Sequence, residues 1–166
     1  MTLRLLYYSS VLHRSVLPRL TRPLLLNHCF STKSHALSSV PSIRVKDFGG
    51  PEQLEHSSSD IPAPTEAGQL IVRIEACGIN PSDTYIVKGP LGPYKANPSL
   101  LPELPFTPGK DAAGVVETVA EGCRFAVGDR VYLSNSITGS MARAALCHED
   151  TVWRLPPNVS FSQAQT

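Results

Sequence analysis

The 166-residue sequence predicts a mainly β fold with short helices. Three observations point there. Fifteen prolines and eleven glycines, with only 7% aromatic residues, favour a turn-rich β architecture over a helix bundle, because proline interrupts helical hydrogen bonding and glycine supplies turn geometries. Leu70, Val72, Ile74 and Ala76 alternate with Ile71, Arg73, Glu75 and Cys77, the two-residue period of a strand with one polar face. Further apolar runs from Ala112 to Val119 and Arg130 to Leu133 are separated by the Gly128-Asp129 turn. A hydrophobic content of 42% is enough for the core of one ordinary domain.

The first 41 residues differ from the rest. Residues 1–41 hold Arg4, Arg14, Arg19, Arg22 and Lys33 and no Asp or Glu, which leaves ten basic against fourteen acidic residues in the remainder, a formal balance of −4. The segment is rich in Arg, Ser and Leu, and Leu3 to Leu17 can gather Leu and Val on one side with Arg4 and Arg14 elsewhere. That is the composition of a mitochondrial transit peptide, so residues 1–41 are assigned to a targeting segment and flexible leader, and the mature chain to the matrix. A secretory signal is the competing reading, but Leu5 to Leu12 is short, is broken by Ser9 and Ser10, and is followed by three arginines. No run of about twenty apolar residues exists, so no membrane span is expected. The acidic body has no net attraction for phosphate, which argues against RNA as a partner.

Folded sequence is expected to begin near Ile43. Ile43 and Val45 alternate with Arg44 and Lys46, and Gly49-Gly50-Pro51 supplies a turn, which predicts a first strand. After the strand at 70–77, Asn80-Pro81-Ser82-Asp83 has the order of a helix start, with Asn able to accept a backbone N–H and Pro tolerated at the first helical position. Gly89 ends that short helix, and six prolines from Pro90 to Pro108 mark an irregular connection. Beyond Ala112 to Val119 and Arg130 to Leu133, strands are expected from Met141 to Leu146 and Thr151 to Leu155. Finally, Ser160 and Gln163 have the spacing of a capping box. A helix opening so close to Thr166 is too short to be stable alone, so residues 158–166 are expected to lead into a further domain. Cys29, Cys77, Cys123 and Cys147 are widely spaced with no Cys-x-x-Cys pair, which favours small buried apolar residues over a disulfide framework or a zinc site.

Four motifs stand in register: Phe48-Gly49-Gly50-Pro51-Glu52, Ala76 to Tyr85, Pro108 to Gly114, and Gly128-Asp129-Arg130-Val131. From about Ser42 onward the chain resembles the medium-chain dehydrogenase/reductase superfamily, specifically the N-terminal GroES-like catalytic domain of the quinone oxidoreductase (zeta-crystallin-like) family. The resemblance implies a GroES-like, partly open β-barrel over residues 42–157, truncated before a Rossmann domain that would hold NADPH. Zinc-dependent relatives place a Cys and a His where this chain has Asn80 and Lys110. An amide and an ammonium are poor zinc ligands, so the implied chemistry is zinc-independent, with no metal site.

What the resemblance implies is direct hydride transfer from NADPH to a small quinone or enone, in an enzyme that is a homo-oligomer when full length. Asn80 and Tyr85 match catalytic positions: Asn80 orients nicotinamide or substrate, and Tyr85 donates a hydrogen bond to the oxygen that gains charge. Asn80 and Asp83 match cofactor-facing positions. Each residue also has a plainer reading: Asn80 as a helix cap, Tyr85 as half-buried packing, Asp83 as a carboxylate on the helix dipole, and Lys110-Asp111 as a surface ion pair. A mitochondrial enoyl-thioester reductase shares the Asn-Pro-Ser-Asp run and is the enzymatic alternative. A non-catalytic binding or regulatory module is the alternative from another class.

Overall fold

The computed structural model describes residues 39–165. Most of the basic leader, Cys29 and Thr166 lie outside the described residues. The first strand, β1, runs Val40–Val45, so it begins inside the stretch that the sequence reading gives to the leader. Val40 and Ser42 are both buried, and the Ser42 hydroxyl meets that of Ser59 at 2.7 Å. β1 pairs antiparallel with β2, Leu54–Ser59, from Val45 opposite Leu54 to Val40 opposite Ser59. The Gly49-Gly50-Pro51 turn and a 3-10 turn at Pro51–Gln53 join them. β2 is not foreseen in the sequence. Nearly all its residues are exposed, so it carries no apolar alternation and is held by backbone pairing and by its end contacts.

The remaining elements are β3 (Gln69–Cys77), α1 (Pro81–Lys88), β4 (Ala112–Val119), β5 (Arg130–Leu133), β6 (Ala144–His148) and β7 (Val152–Arg154). Five strands form one sheet in the order β6-β3-β4-β5-β7, antiparallel throughout. Residues 141–143 couple this sheet to the hairpin. Ile43 N–H donates to Met141 O (2.8 Å), Arg143 N–H to Pro41 O (2.9 Å), and Ile74 N–H to Arg143 O (2.9 Å). The strand expected over Met141 to Leu146 is therefore displaced: its first residues lie along β1, and only from Ala144 does it pair regularly with β3. The described residues thus form a curled half-barrel of strands with one short helix, the GroES-like partial barrel expected.

β3 departs from its expected single polar face. Leu70 and Val72 enter a core with Ala112, Val116, Val131, Leu133 and Val152. Ile71 enters a second core with Val40, Ile61, Ala144 and Leu146. Fully burying each such side chain stabilises the fold by about 1.5–3 kcal/mol, so the first half of β3 is apolar on both faces and only its second half turns Arg73 and Glu75 outward. Arg73 there pairs with Glu75 and, at 3.2 Å, with Glu117. Gly114 of β4 lies opposite Ile74, where a Cβ would sit 1.9 Å from the Arg73 carbonyl oxygen. Only glycine permits β3 and β4 to approach that closely beside the register shift between Ile74 and Ala76.

Between α1 and β4 the proline-rich connection is a series of 3-10 turns, Gly89–Leu91, Pro93–Ala96 and Pro98–Leu100. The capping box at the chain's end is made: Ser160 N–H donates to Gln163 Oε1 (3.0 Å) and Gln163 N–H to Ser160 Oγ (3.2 Å). One 3-10 turn, Gln163–Gln165, follows. Among the described residues no helix is long and apolar enough to cross a membrane.

Glu149 clamps the loop between β4 and β5. Its Oε2 accepts from Arg124 N–H at 2.7 Å, and the Arg124 guanidinium returns to Glu149 O and to Val152 O (3.2 Å). The Arg124 N–H holds the Glu149 carboxyl below its ordinary pKa. A carboxylate with a depressed folded pKa stabilises above its unfolded value, about 4.3, and loses that contribution as pH falls through the folded one. Glu149→Gln is thus expected to lower the urea midpoint at pH 7, with the difference from the parent chain shrinking as the pH falls below the ordinary carboxylate range. A difference that persists undiminished at pH 3 would contradict this.

Candidate active site

The turn from β3 into α1 carries the site. Asn80 is extended, at φ −100° and ψ 155°, with Pro81 following as the first helical residue. That combination stops the strand and starts the helix, since proline's fixed φ suits the first turn and its missing N–H costs nothing there. Asp83 closes a capping box by accepting Asn80 N–H at Oδ2 (2.8 Å). The helix ends at Gly89, whose φ of 57° is disfavoured for side-chain-bearing residues and whose Cβ would strike the Phe48 ring at 2.3 Å.

Asn80 uses its side chain elsewhere as well. Its amide nitrogen donates to Asp111 Oδ2 at 2.7 Å; a carboxylate can only accept, so the amide must present its N–H₂ on that side. Asp111 is in turn anchored through its backbone, whose carbonyl accepts from Gly78 N–H (3.1 Å) and from Ser140 Oγ (3.1 Å). The plainer reading of Lys110-Asp111 is a surface ion pair. No ion pair joins them among the described residues. Asn80 and Asp111 line a recess of about 310 Å³ with Gly78, Tyr132, Ser134 and Gln165.

Asp83 is only 2% exposed. Its Oδ1 is buried with no hydrogen-bond partner among the described residues, and the residue borders a cavity of about 360 Å³ whose other walls include Gly50, Leu54, Ile79, Val87 and Met141. The expected role at the helix dipole is therefore incomplete as an account of this carboxylate: an acceptor is left over beside an apolar cavity. Lys110 lines a different cleft, of about 570 Å³. Tyr85 is 41% exposed and lines none of these three cavities. The structure thus brings Asn80, Asp83 and Asp111 together at the start of α1 and leaves Tyr85 apart from them, at the solvent.

Sequence reasoning missed Asp111 as Asn80's partner and Ser140 entirely. Asp111 lies within the Pro108 to Gly114 motif, and its position before the small residues Ala112-Ala113-Gly114 is a usable signal; Ser140 has none. Ser140 is fully buried and places its Oγ 3.3 Å from Cys77 Sγ. Burial pushes the Cys77 thiol up, the Ser140 hydroxyl opposes this, and the Asp83 and Asp111 carboxylates add to it. Cys77 is thus a poor nucleophile at neutral pH. Of the three described cysteines only Cys147 is fully buried, its thiol pushed up to about 12, whereas Cys77 and Cys123 are half-buried.

Residues 66–157 match the family model described as the alcohol dehydrogenase GroES-like domain. The chain belongs to that family, as an N-terminal quinone-oxidoreductase-type domain of the medium-chain dehydrogenase/reductase superfamily. The quinone oxidoreductases of Lama guanicoe and Homo sapiens are each 41% identical to it over 124 residues, covering 74% of this chain and 35% of the relative. Among solved structures, a quinone oxidoreductase of Pseudomonas syringae superposes with a TM-score of 0.67 at 35% identity, covering 76% of this chain and 36% of that one. The Escherichia coli quinone oxidoreductase complexed with NADPH gives 0.62 at 32% identity, covering 75% and 36%. The chain spans about a third of the length of the curated relatives it matches.

Replacing Asp111 with Ala should release the Asn80 amide. Its side-chain N–H₂ is expected to exchange with solvent about tenfold faster or more in NMR spectra, as for loss of a charge-assisted hydrogen bond of about 1.5–3 kcal/mol. Unchanged exchange in a folded variant would refute the clamp.

Proposed function

We propose that the chain supplies the catalytic part of a zinc-independent, NADPH-dependent quinone or enone oxidoreductase that works by direct hydride transfer, in concert with a nucleotide-binding domain. The observation that carries this reading is the clamped Asn80: where zinc-using relatives present a thiolate, this chain holds an amide against Asp111. An amide so held orients a neighbour by hydrogen bonding and does not serve as a metal ligand.

The nicotinamide end of NADPH suits the residues present. Asp83 Oδ1 is a buried acceptor lacking a donor among the described residues, and a carboxamide N–H or ribose hydroxyl is such a donor; the phosphates, which a carboxylate repels, have to be held elsewhere. When bound, NADPH supplies the hydride. Asn80 and Asp83 fix the angle of approach, the apolar walls around Ile79 and Val87 keep water away, and the Tyr85 hydroxyl donates a hydrogen bond to the oxygen that gains charge. The exposure of Tyr85 is compatible with that role once another domain faces α1. The family resemblance also supports a homo-oligomer for the complete enzyme.

In the full-length protein carrying these residues, NADPH oxidation by a short quinone is expected to survive a strong zinc chelator and to fall about 10²-fold in Tyr85→Phe, the loss typical of one oxyanion donor. Abolition by the chelator sinks the reading. Preferential turnover of an enoyl-thioester moves the assignment to that branch.

The mature protein is placed in the mitochondrial matrix on the strength of its acid-free, arginine-bearing leader. Residues 1–41 fused to a fluorescent protein should direct it to mitochondria, and replacing Arg4, Arg14, Arg19 and Arg22 with Glu should leave it cytosolic. Mitochondrial import of both fusions, or of neither, would overturn the placement.

A further inference from the structure

The cleft of about 570 Å³ lies between β1, residues 100–110 and residues 135–139, and none of Asn80, Asp83 and Tyr85 lines it. Two basic side chains line it, Arg44 from β1 and Lys110, both half-buried. Neither takes part in an ion pair among the described residues. The Arg44 guanidinium donates from Nη2 to Pro105 O at 2.7 Å, but its Nε is buried without a hydrogen-bond partner among the described residues. Asp60 is the one carboxylate on the cleft, and it is exposed.

A guanidinium N–H withdrawn from water and left unbonded is costly. What satisfies it best is an oxyanion, because the planar fork matches carboxylate and phosphate geometry and a charge-assisted hydrogen bond is the stronger kind. Lys110 adds a second positive charge on the same cleft, so the local balance is one net positive charge even with Asp60 counted. Ile86, Leu101 and Phe106 furnish apolar wall, which a bare inorganic ion would leave uncovered.

We infer that this cleft is a binding site for a small organic anion, with an apolar body against Ile86, Leu101 and Phe106 and a carboxylate taken by Arg44 and Lys110. The site stands or falls independently of the reductase reading, since it rests on Arg44 and Lys110 and requires no turnover. Its carboxylate binds to a preformed donor, while Asp60 at the exposed margin disfavours dianions.

NMR titration of the isotope-labelled chain at low ionic strength tests this with benzoate, its neutral isostere benzamide, and inorganic phosphate. Benzoate is expected to shift the backbone amides around Arg44, Thr107 and Lys110 and to bind at least about tenfold more tightly than benzamide. Arg44→Gln and, separately, Lys110→Gln should each weaken benzoate by about tenfold, with benzamide unaffected. Lys110→Gln keeps the test decisive if Arg44→Gln fails to fold. Equal binding of benzoate and benzamide overturns the proposal, as does benzoate binding that both folded variants retain. Phosphate binding as tightly as benzoate overturns the apolar-bodied ligand.

Discussion

The double burial of β3 is the constraint from which the rest of the structure follows. Its first half is packed from both sides, Leu70 and Val72 into one core and Ile71 into the other, while its backbone pairs with β4 on one edge and β6 on the other. A strand so enclosed cannot shift by one residue without exchanging its two apolar sets. The residues that leave its end, Cys77 to Asn80, inherit that rigidity. Gly114 adds to it by letting β4 run unusually close, which brings Ala112 and hence Asp111 beside the start of α1.

From this placement the chemistry at Asn80 becomes intelligible. The side-chain amide meets Asp111, the backbone N–H meets Asp83, and Ser140 braces Asp111 from behind. Two residues distant in sequence, Asp111 and Ser140, thereby orient one amide, while Asp83, three residues on, fixes its backbone. Its worth to the proposed reaction is positional: a group held by independent contacts needs no reorganisation when a partner arrives. The orphan oxygen of Asp83 is the complementary feature, an acceptor kept dry and ready at the cost of its own solvation.

Much of this was legible in the sequence wherever local chemistry decides the outcome. α1 is bounded by Asn80-Pro81 and Gly89, each acting through its own backbone preferences, and both ends fall where those residues predict. β4, β5 and β7 are short apolar runs set off by turns, and they too appear at their expected places. β2 escaped notice because Leu54 to Ser59 has no periodic apolar signal, its strand geometry being imposed by β1. The second face of β3 was half-hidden: Ile71 was counted among its polar-face residues because one apolar side chain cannot announce a second core. In the site, Asn80 and Asp83 were visible as cap chemistry, whereas the pairing of Asn80 with Asp111 spans 31 residues and depends on how β3 and β4 meet. No spacing rule reaches that far.

The hairpin made by β1 and β2 has a peculiar vulnerability. A strand with no apolar side has nothing to lose when it slides past its neighbour, since either set of side chains is equally content in water. Its alignment must come from a fastening at the end. The hydroxyl relay from Ser42 through Ser59 to Thr107, at 2.7 and 2.9 Å, is positioned to be that fastening, helped at the other end by Lys46 against Glu55 at 2.6 Å. Three small alcohols thus do the indexing that a hydrophobic face performs elsewhere in the molecule.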